Sequence, residues 1–283
     1  MEIRINGQAA DITIDDEKTV GDIMTALDKW LANSGHRLSG LCIDGQRAQT
    51  SSLEDFFSRG IDSVKTLDIS TNSLPELAVQ SIYSLLSDIQ EYETLKFEDK
   101  NNYLQSWNES AQAKFTAEQM PDLYDVFVNL FSGNIAAGIA SSLAEERMRE
   151  INDPLHEFLN LQSLVQDTCT RLADLALDIQ TGKDGRAAQT IRIFSGVAEK
   201  ILRILKQLDL QGYLSNSEIP PGKPINQIIN GFGVLLNDLL QAYEKHDTVL
   251  VGDLAEYEAA PRLQELYTVV LKNCRTEAKR AEK

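Results

Sequence analysis

Three histidines, three cysteines and a surplus of carboxylates are the groups through which this 283-residue sequence could do chemistry. A di-metal carboxylate bundle needs Glu-x-x-His pairs on inward helix faces. None of His36, His156 and His246 has a Glu three residues before it. His156 has Asp153 at that offset, an arrangement that reads as a helix-capping Asp beside a surface His. Cys42, Cys169 and Cys274 lie far apart, without Cys-x-x-Cys or Cys/His spacing. They read as small apolar side chains in a reducing compartment, not as zinc ligands or a disulfide framework. No Gly-x-Ser-x-Gly elbow occurs, and no Cys sits in an evidently cationic helix-start setting. Gly182-Lys183-Asp184-Gly185 lacks the spacing and preceding strand of a phosphate loop, so it reads as an interhelical turn. Gly231 and Gly233, separated by Phe232, suggest close helix packing instead of a nucleotide fingerprint. The expectation is a non-enzymatic chain with no catalytic residues, no cofactor and no metal.

One pattern recurs. Asp-x-x-Glu-Tyr-Glu occurs at Asp88, Glu91, Tyr92 and Glu93, and again at Asp253, Glu256, Tyr257 and Glu258. Leu85 and Leu250 precede the two Asp residues at the same offset. On a helix, residues three apart share a face, so each copy presents two carboxylates together. Such faces could hold a cation or a basic partner segment. The plainer reading is the solvated side of an amphipathic helix, with Glu258 pairing Arg262 four residues later. Tyr124, Phe127 and Phe131 form an aromatic face at helical spacing, which is core if buried and a docking groove for a partner helix if exposed. These nine residues, Asp88, Glu91, Glu93, Asp253, Glu256, Glu258, Tyr124, Phe127 and Phe131, are the candidate partner contacts.

Charge narrows the partner. With 43 acids against 27 bases the formal charge is −16, which repels phosphate backbones and anionic membrane surfaces. Lys272, Arg275, Lys279, Arg280 and Lys283 gather near the C-terminus, but Glu277 and Glu282 interrupt them, and basic residues commonly close a final helix. A protein partner with a basic or amphipathic segment is expected, with homo-oligomerisation also open, and neither nucleic acid nor membrane. The greasiest stretch, 123–143, is broken by Asp125, Asn129, Ser132 and Asn134, so no membrane span is expected. The first residues are polar and alternating, unlike a signal peptide, which points to the cytoplasm.

The elements that would position these groups fall into two regions. In residues 2–71, Ile3 and Ile5 alternate with Glu2 and Arg4, Asn6-Gly7 marks a hairpin, and Ile12 and Ile14 alternate on the returning strand. Asp15, Asp16 and Thr19 offer caps before a stripe of Val20, Ile23, Met24, Leu27, Trp30 and Leu31 that ends near Gly35. Leu38, Leu41 and Ile43 make a third strand before the Asp44-Gly45 turn, and 47–50 a small edge strand. A helical turn at 53–57 and a strand through Val64, Leu67 and Ile69 complete the set. This β-β-α-β-β-turn-β order resembles a ubiquitin-like β-grasp domain, carried by the Asn6-Gly7 hairpin, the helix 20–33, the turn 53–57 and the strand 64–69. Carrier members of that family end in Gly-Gly. Here Ile69-Ser70-Thr71-Asn72 runs on into further chain. The resemblance therefore implies the family's other use, as a recognition or adaptor module.

From residue 73 onward only helices are predicted. Asn72 to Pro75 reads as a linker in which Ser73 caps the first helix and Pro75 occupies its first turn. Single helices are expected over 77–94, 96–119, 123–151, 153–179 and 191–208, the third carrying Gly133, Ala136, Ala137, Gly138 and Ala140 for close packing. A proline-rich loop at 212–224 precedes a hairpin over 225–271 that turns at Lys245-His246-Asp247. Its first arm carries Ile225, Ile228, Ile229, Phe232, Leu235, Leu236, Leu239, Leu240 and Tyr243 as one stripe, and its second arm the acidic run. About seven helices make a bundle. The fold class is thus α+β: an N-terminal ubiquitin-like β-grasp domain over 1–72, then an all-α multi-helix bundle domain over 73–283. The function expected is a cytoplasmic adaptor, scaffold or chaperone-like binder; the alternative is an enzyme or a small-ligand or metal site between helices.

Overall fold

Asn6 and Gly7 both take positive φ, 50° and 80°, the mirror-image turn that matches the twist of two flanking strands. They fold β1 (Glu2–Ile5) back on β2 (Gln8–Ala9). Asp44 and Gly45 repeat the device, at 49° and 79°, between β3 (His36–Ile43) and β4 (Gln46–Arg47). β5 (Thr66–Ser73) lies between the two hairpins, parallel to β1 and antiparallel to β3, giving the mixed order β2-β1-β5-β3-β4. The computed structural model describes residues 1–10, 17–48, 53–214 and 225–281. Ile12, Ile14, Asp15, Asp16, the end of the expected edge strand and most of the proline-rich loop lie outside the described residues.

α1 (Val20–Asn33) starts at a reciprocal cap in which Thr19 accepts from the Asp22 backbone while the Asp22 carboxylate accepts from that of Thr19. Its face Val20, Ile23, Met24 and Leu27 buries against Ile3, Leu41, Ile43, Leu67 and Ile69, and α2 (Leu53–Phe57) adds Phe56. Trp30, expected in that stripe, is 57% exposed, one position off the buried face.

The chain forms two compact units, Met1–Ala144 and Glu145–Lys283. Within the first, the change from sheet to helices at residue 73 involves no linker. β5 ends at Ser73 and α3 (Leu74–Thr94) begins with the next residue. Ser73 caps as expected: its hydroxyl accepts from Glu76 N at 3.3 Å, and the Glu76 carboxylate accepts from Ser73 N at 2.7 Å. The segment expected as one helix over 96–119 is two, α4 (Phe97–Glu109) and α5 (Ala111–Gln119), because Ser110 turns extended and caps Ala113 N at 3.0 Å. Likewise α6 (Pro121–Phe131) is separate from α7 (Ala137–Asn152), since Gly133 adopts φ 75° and stops the helix instead of lining it.

The second unit takes up α8 (Pro154–Leu159), α9 (Gln162–Ala173), α10 (Leu175–Gln180), α11 (Asp184–Leu210), α12 (Ile225–Glu244), α13 (Thr248–Asp253) and α14 (Ala260–Ala281), with a π-helical turn Leu254–Ala259 joining the last two. The single helix expected over 153–179 is thus three short ones. The core holds Phe158, Leu172, Phe194, Ile201, Leu205, Leu263 and Val270, closed by Ile228, Phe232, Leu235 and Leu239 of the predicted stripe. Leu240, also in that stripe, is 45% exposed. The hairpin turns where expected, with His246 at φ 55° and Asp247 capping Leu250 N at 3.0 Å. Among the described residues, no helix is long and apolar enough to cross a membrane.

Close backbone approach occurs at a glycine other than those expected. Cβ atoms built at Gly231, Gly233 and Gly138 meet nothing within 4 Å, whereas one at Gly252 would lie 2.8 Å from Ala176 Cβ. Gly252 therefore lets α13 seat on α10. Gly252→Ala is expected to cost roughly 1–3 kcal/mol by wedging these helices apart. Gly138→Ala, in open space on α7, is expected to gain roughly 0.5–1 kcal/mol. Chemical denaturation of both variants checks the contrast; equal shifts would contradict the α10–α13 contact.

Candidate binding surfaces

The first acidic hexapeptide ends α3, and its Asp88 and Glu91 interact with side chains of α4. Asp88 is half-buried and accepts from Trp107 Nε1 at 3.1 Å. Burial lifts its carboxyl above the ordinary carboxylate range, against the opposing pull of the Trp107 hydrogen bond. The Tyr103 hydroxyl is raised by burial first, then by the charges of Asp88 and Glu91 and its hydrogen bond to Glu91. Glu91 and Glu93 are exposed. Beneath them Trp107 stacks on Tyr124 (5.5 Å, 20°) and meets Phe131 edge-on (5.0 Å, 64°), while Tyr92 meets Phe131 at 5.1 Å. These are favourable aromatic geometries. The structure thus brings Asp88, Glu91, Tyr124, Phe127 and Phe131 into one cluster, organised by Tyr103 and Trp107.

That arrangement corrects the docking reading of the aromatic face. Phe127 is 0% and Phe131 3% exposed, and half-buried Tyr124 donates to Asn108 Oδ1 at 3.1 Å. Phe127 and Phe131 are core, with Trp107 of α4 packed on them.

The second hexapeptide, in the second unit, has a different setting. It spans the end of α13 and the π turn, whose wider winding breaks the three-residue face expected of a regular helix. Asp253 and Glu256 are exposed, and Glu258 is held by Arg262 at 2.6 Å, as the spacing predicts. Tyr257 is 68% exposed, whereas its counterpart Tyr92 is 9% exposed.

The groups weighed for chemistry are placed as follows. Asp153 caps α8, accepting from His156 N at 3.1 Å, and His156 is exposed. Cys274 is buried and its thiol is pushed up to about 11, and burial also raises Cys169, the opposite of an activated nucleophile. Gly182, at φ 74°, turns the chain between α10 and α11, where buried Asp178 takes Arg186 Nε at 2.8 Å and Lys183 Nζ at 3.7 Å.

Two features carried no signal in the sequence reading. The first is a buried charge network in the second unit. Glu150 on α7 is 0% exposed; Arg203 of α11 forks its two oxygens at 3.0 Å each, and Arg147 approaches at 3.1 Å. Lys200 bridges Glu146 (2.6 Å) to Glu157 of α8 (3.5 Å). Complementary spacing was its only trace: acids four apart on one helix, bases three apart on another. The second is an open groove of about 420 Å³ in the first unit, between α3 and α5. Leu74, Leu77 and Phe115 line it with Gln80, Ser84 and Gln112.

Fold and site together define an α+β protein: a mixed five-strand sheet followed by helices, with a groove and charged surfaces. The TP0873 N-terminal domain family model matches residues 1–73, the sheet. A domain of unknown function (DUF8042) matches residues 155–269, most of the second unit, including Asp253, Glu256 and Glu258. An uncharacterized protein of Treponema pallidum (strain Nichols) is 24% identical over 271 residues, covering 96% of each chain. No solved structure matches.

Glu150→Gln should leave buried guanidinium groups poorly matched and cost roughly 3–5 kcal/mol, whereas Glu150→Leu combined with Arg203→Met should recover part of that loss. Urea denaturation of single and double variants measures this. Asp88→Asn keeps an acceptor for Trp107 while removing the charge that burial penalises. Because the folded pKa of Asp88 is raised, protonation favours the folded state. Wild type therefore gains stability as pH falls through that pKa towards the unfolded value. The variant should match or exceed wild type at pH 7 and lose any advantage below the unfolded carboxylate pKa, as read by melting temperature across pH.

Proposed function

We propose that the chain is a non-enzymatic protein-binding module, an adaptor, scaffold or chaperone-like binder whose partner contributes an amphipathic segment. The observation that carries this reading is the α3–α5 groove. Its apolar members, Leu74, Leu77 and Phe115, are half-buried, and neutral amides and hydroxyls surround them. Gln112 Nε2 donates to Ser81 O at 2.6 Å, tying the two helices together. Arg37 and Glu118 are the charged groups in the lining, and it contains no His or Cys. An apolar strip bordered by neutral hydrogen-bonding groups suits the side chains of a docked helix. A reaction centre would instead converge several titratable groups.

The sheet supports the recognition part of the reading. Two short hairpins flank β5, which runs parallel to β1, and one helix packs across a face, which supports reading the sheet as a ubiquitin-like β-grasp module. β5 passes straight into α3, which argues against use as a carrier with an activated C-terminus. Free Cys42, Cys169 and Cys274 suit a reducing compartment such as the cytoplasm, and the charge of −16 suits a protein partner over a nucleic acid.

Leu77→Asp with Phe115→Ser places charge and polarity in the groove at half-buried positions. The immobilised full-length protein should retain a partner from extracts of its own cells, and the variant should lose it by about tenfold or more at unchanged melting temperature. Retention of the same proteins by both would remove the groove from this role.

A further inference from the structure

The second arm of the terminal hairpin carries an apolar face turned to solvent. Val249 is 69%, Leu250 44% and Tyr257 68% exposed. α10 brings a fourth such residue: Ala176 meets α13 at Gly252, and the adjoining Leu177 is 57% exposed. A single exposed Leu says little, but three large apolar residues exposed within nine residues of the second arm, with Leu177 exposed on the helix packed against it, are the kind of surface that marks an interaction site. Its winding reinforces the point. Tyr92, in the same hexapeptide on a regular helix, is buried, whereas Tyr257, on the π turn, stands in water.

Charge says what covers this face. Asp253 and Glu256 are exposed on the same turns. Over residues 244–258 there are five acids, Glu244, Asp247, Asp253, Glu256 and Glu258, against one base, Lys245. We infer that this face docks a basic amphipathic helix of a partner protein, whose apolar side chains cover Val249 and Tyr257 while its Lys or Arg residues meet Asp253 and Glu256. A two-fold contact with a second copy would set the same carboxylates against themselves. Phosphate-bearing surfaces are repelled by them. The face lies in a different unit from the α3–α5 groove and rests on its own observations, so either can fail alone.

The test uses the full-length protein and a labelled synthetic helix of Leu and Lys with one apolar side, followed by fluorescence anisotropy. The wild type should bind it, more weakly as salt rises. Val249→Ser with Tyr257→Ser, and separately Asp253→Lys with Glu256→Lys, should each weaken binding by about tenfold or more. Leu77→Asp with Phe115→Ser should leave it unchanged. All these positions are at least partly exposed, so melting temperatures should hold. The inference is overturned by failure of the Leu/Lys helix to bind, by equal binding of a Leu/Glu helix, or by wild-type affinity in the Val249→Ser, Tyr257→Ser protein. A wild-type dimer in light scattering that those two substitutions dissolve would assign the face to a second copy instead.

Discussion

A carboxylate shut away from water must be met by cations or give up its charge, and in the second unit the most deeply buried carboxylate is Glu150. Hydrophobic burial is non-directional: the faces of α7, α8 and α11 could slide along one another at little loss of contact. A forked ion pair cannot slide. Arg203 meets both Glu150 oxygens at 3.0 Å, and Lys200, three residues earlier on α11, reaches Glu146 on α7 and Glu157 on α8. One helical face of bases thereby fixes the register of two other helices. Gln211, donating to Ile151 O at 2.8 Å, fixes the far end. The aromatic and aliphatic core then packs on a frame with one alignment available to it. Replacing such a network by apolar groups is often harmless to net stability, so its contribution lies in specifying the alignment.

The first unit solves the same problem with hydrogen bonds instead of ion pairs. β5 is the strand that every other part of the sheet depends on, and both hairpin turns reach it with the side chain that also tolerates the turn. Asp44 accepts from Lys65 N and Thr66 N at 2.9 and 2.8 Å, and its carboxyl is held below its ordinary range chiefly by the Thr66 bond. Asn6 accepts from Thr71 N at 2.9 Å and donates to Thr71 Oγ1 at 3.0 Å. An Asn-Gly and an Asp-Gly turn are thus doubly determined, by the backbone they allow and by the strand they grip. Ser73, two residues past Thr71, converts that anchored strand into α3 without an intervening residue.

What was legible in the sequence follows from how local each signal is. Both hairpin turns, the caps at Thr19, Ser73 and Asp153, the turn at Lys245-His246-Asp247 and the buried face of α12 could be read because each rests on a few adjacent residues. The breaks at Ser110 and Gly133 could not, because hydrophobic periodicity continues across them and a single cap or positive φ decides the matter. The orientation of the Tyr124, Phe127 and Phe131 face was undetermined for another reason. Its cover, α4, is a polar helix whose few aromatic residues hardly reveal a stripe. The Glu150 network was hidden because its partners lie 53 residues apart, and charges on helices ordinarily face water. The groove needed two helices to be placed before it existed at all.

The two acidic hexapeptides show why residue spacing alone could not settle the chemistry. Each offers an Asp, a Tyr and two Glu residues, but what those groups do depends on the neighbouring helix. α4 presents an indole N–H and a phenol to the first copy, so Asp88 and Glu91 become acceptors for Trp107 and Tyr103, and Tyr92 joins the rings below. No such helix covers the exposed side of the second copy among the described residues. Glu258 finds its cation four residues along its own chain, while Asp253, Glu256 and Tyr257 keep their faces to solvent. A carboxylate already engaged by the fold has little left to offer a ligand, whereas one beside exposed apolar surface retains both its charge and a reason for a partner to approach. On that ground the repeat is one sequence pattern with two outcomes, the first engaged by a neighbouring helix and the second left largely to solvent.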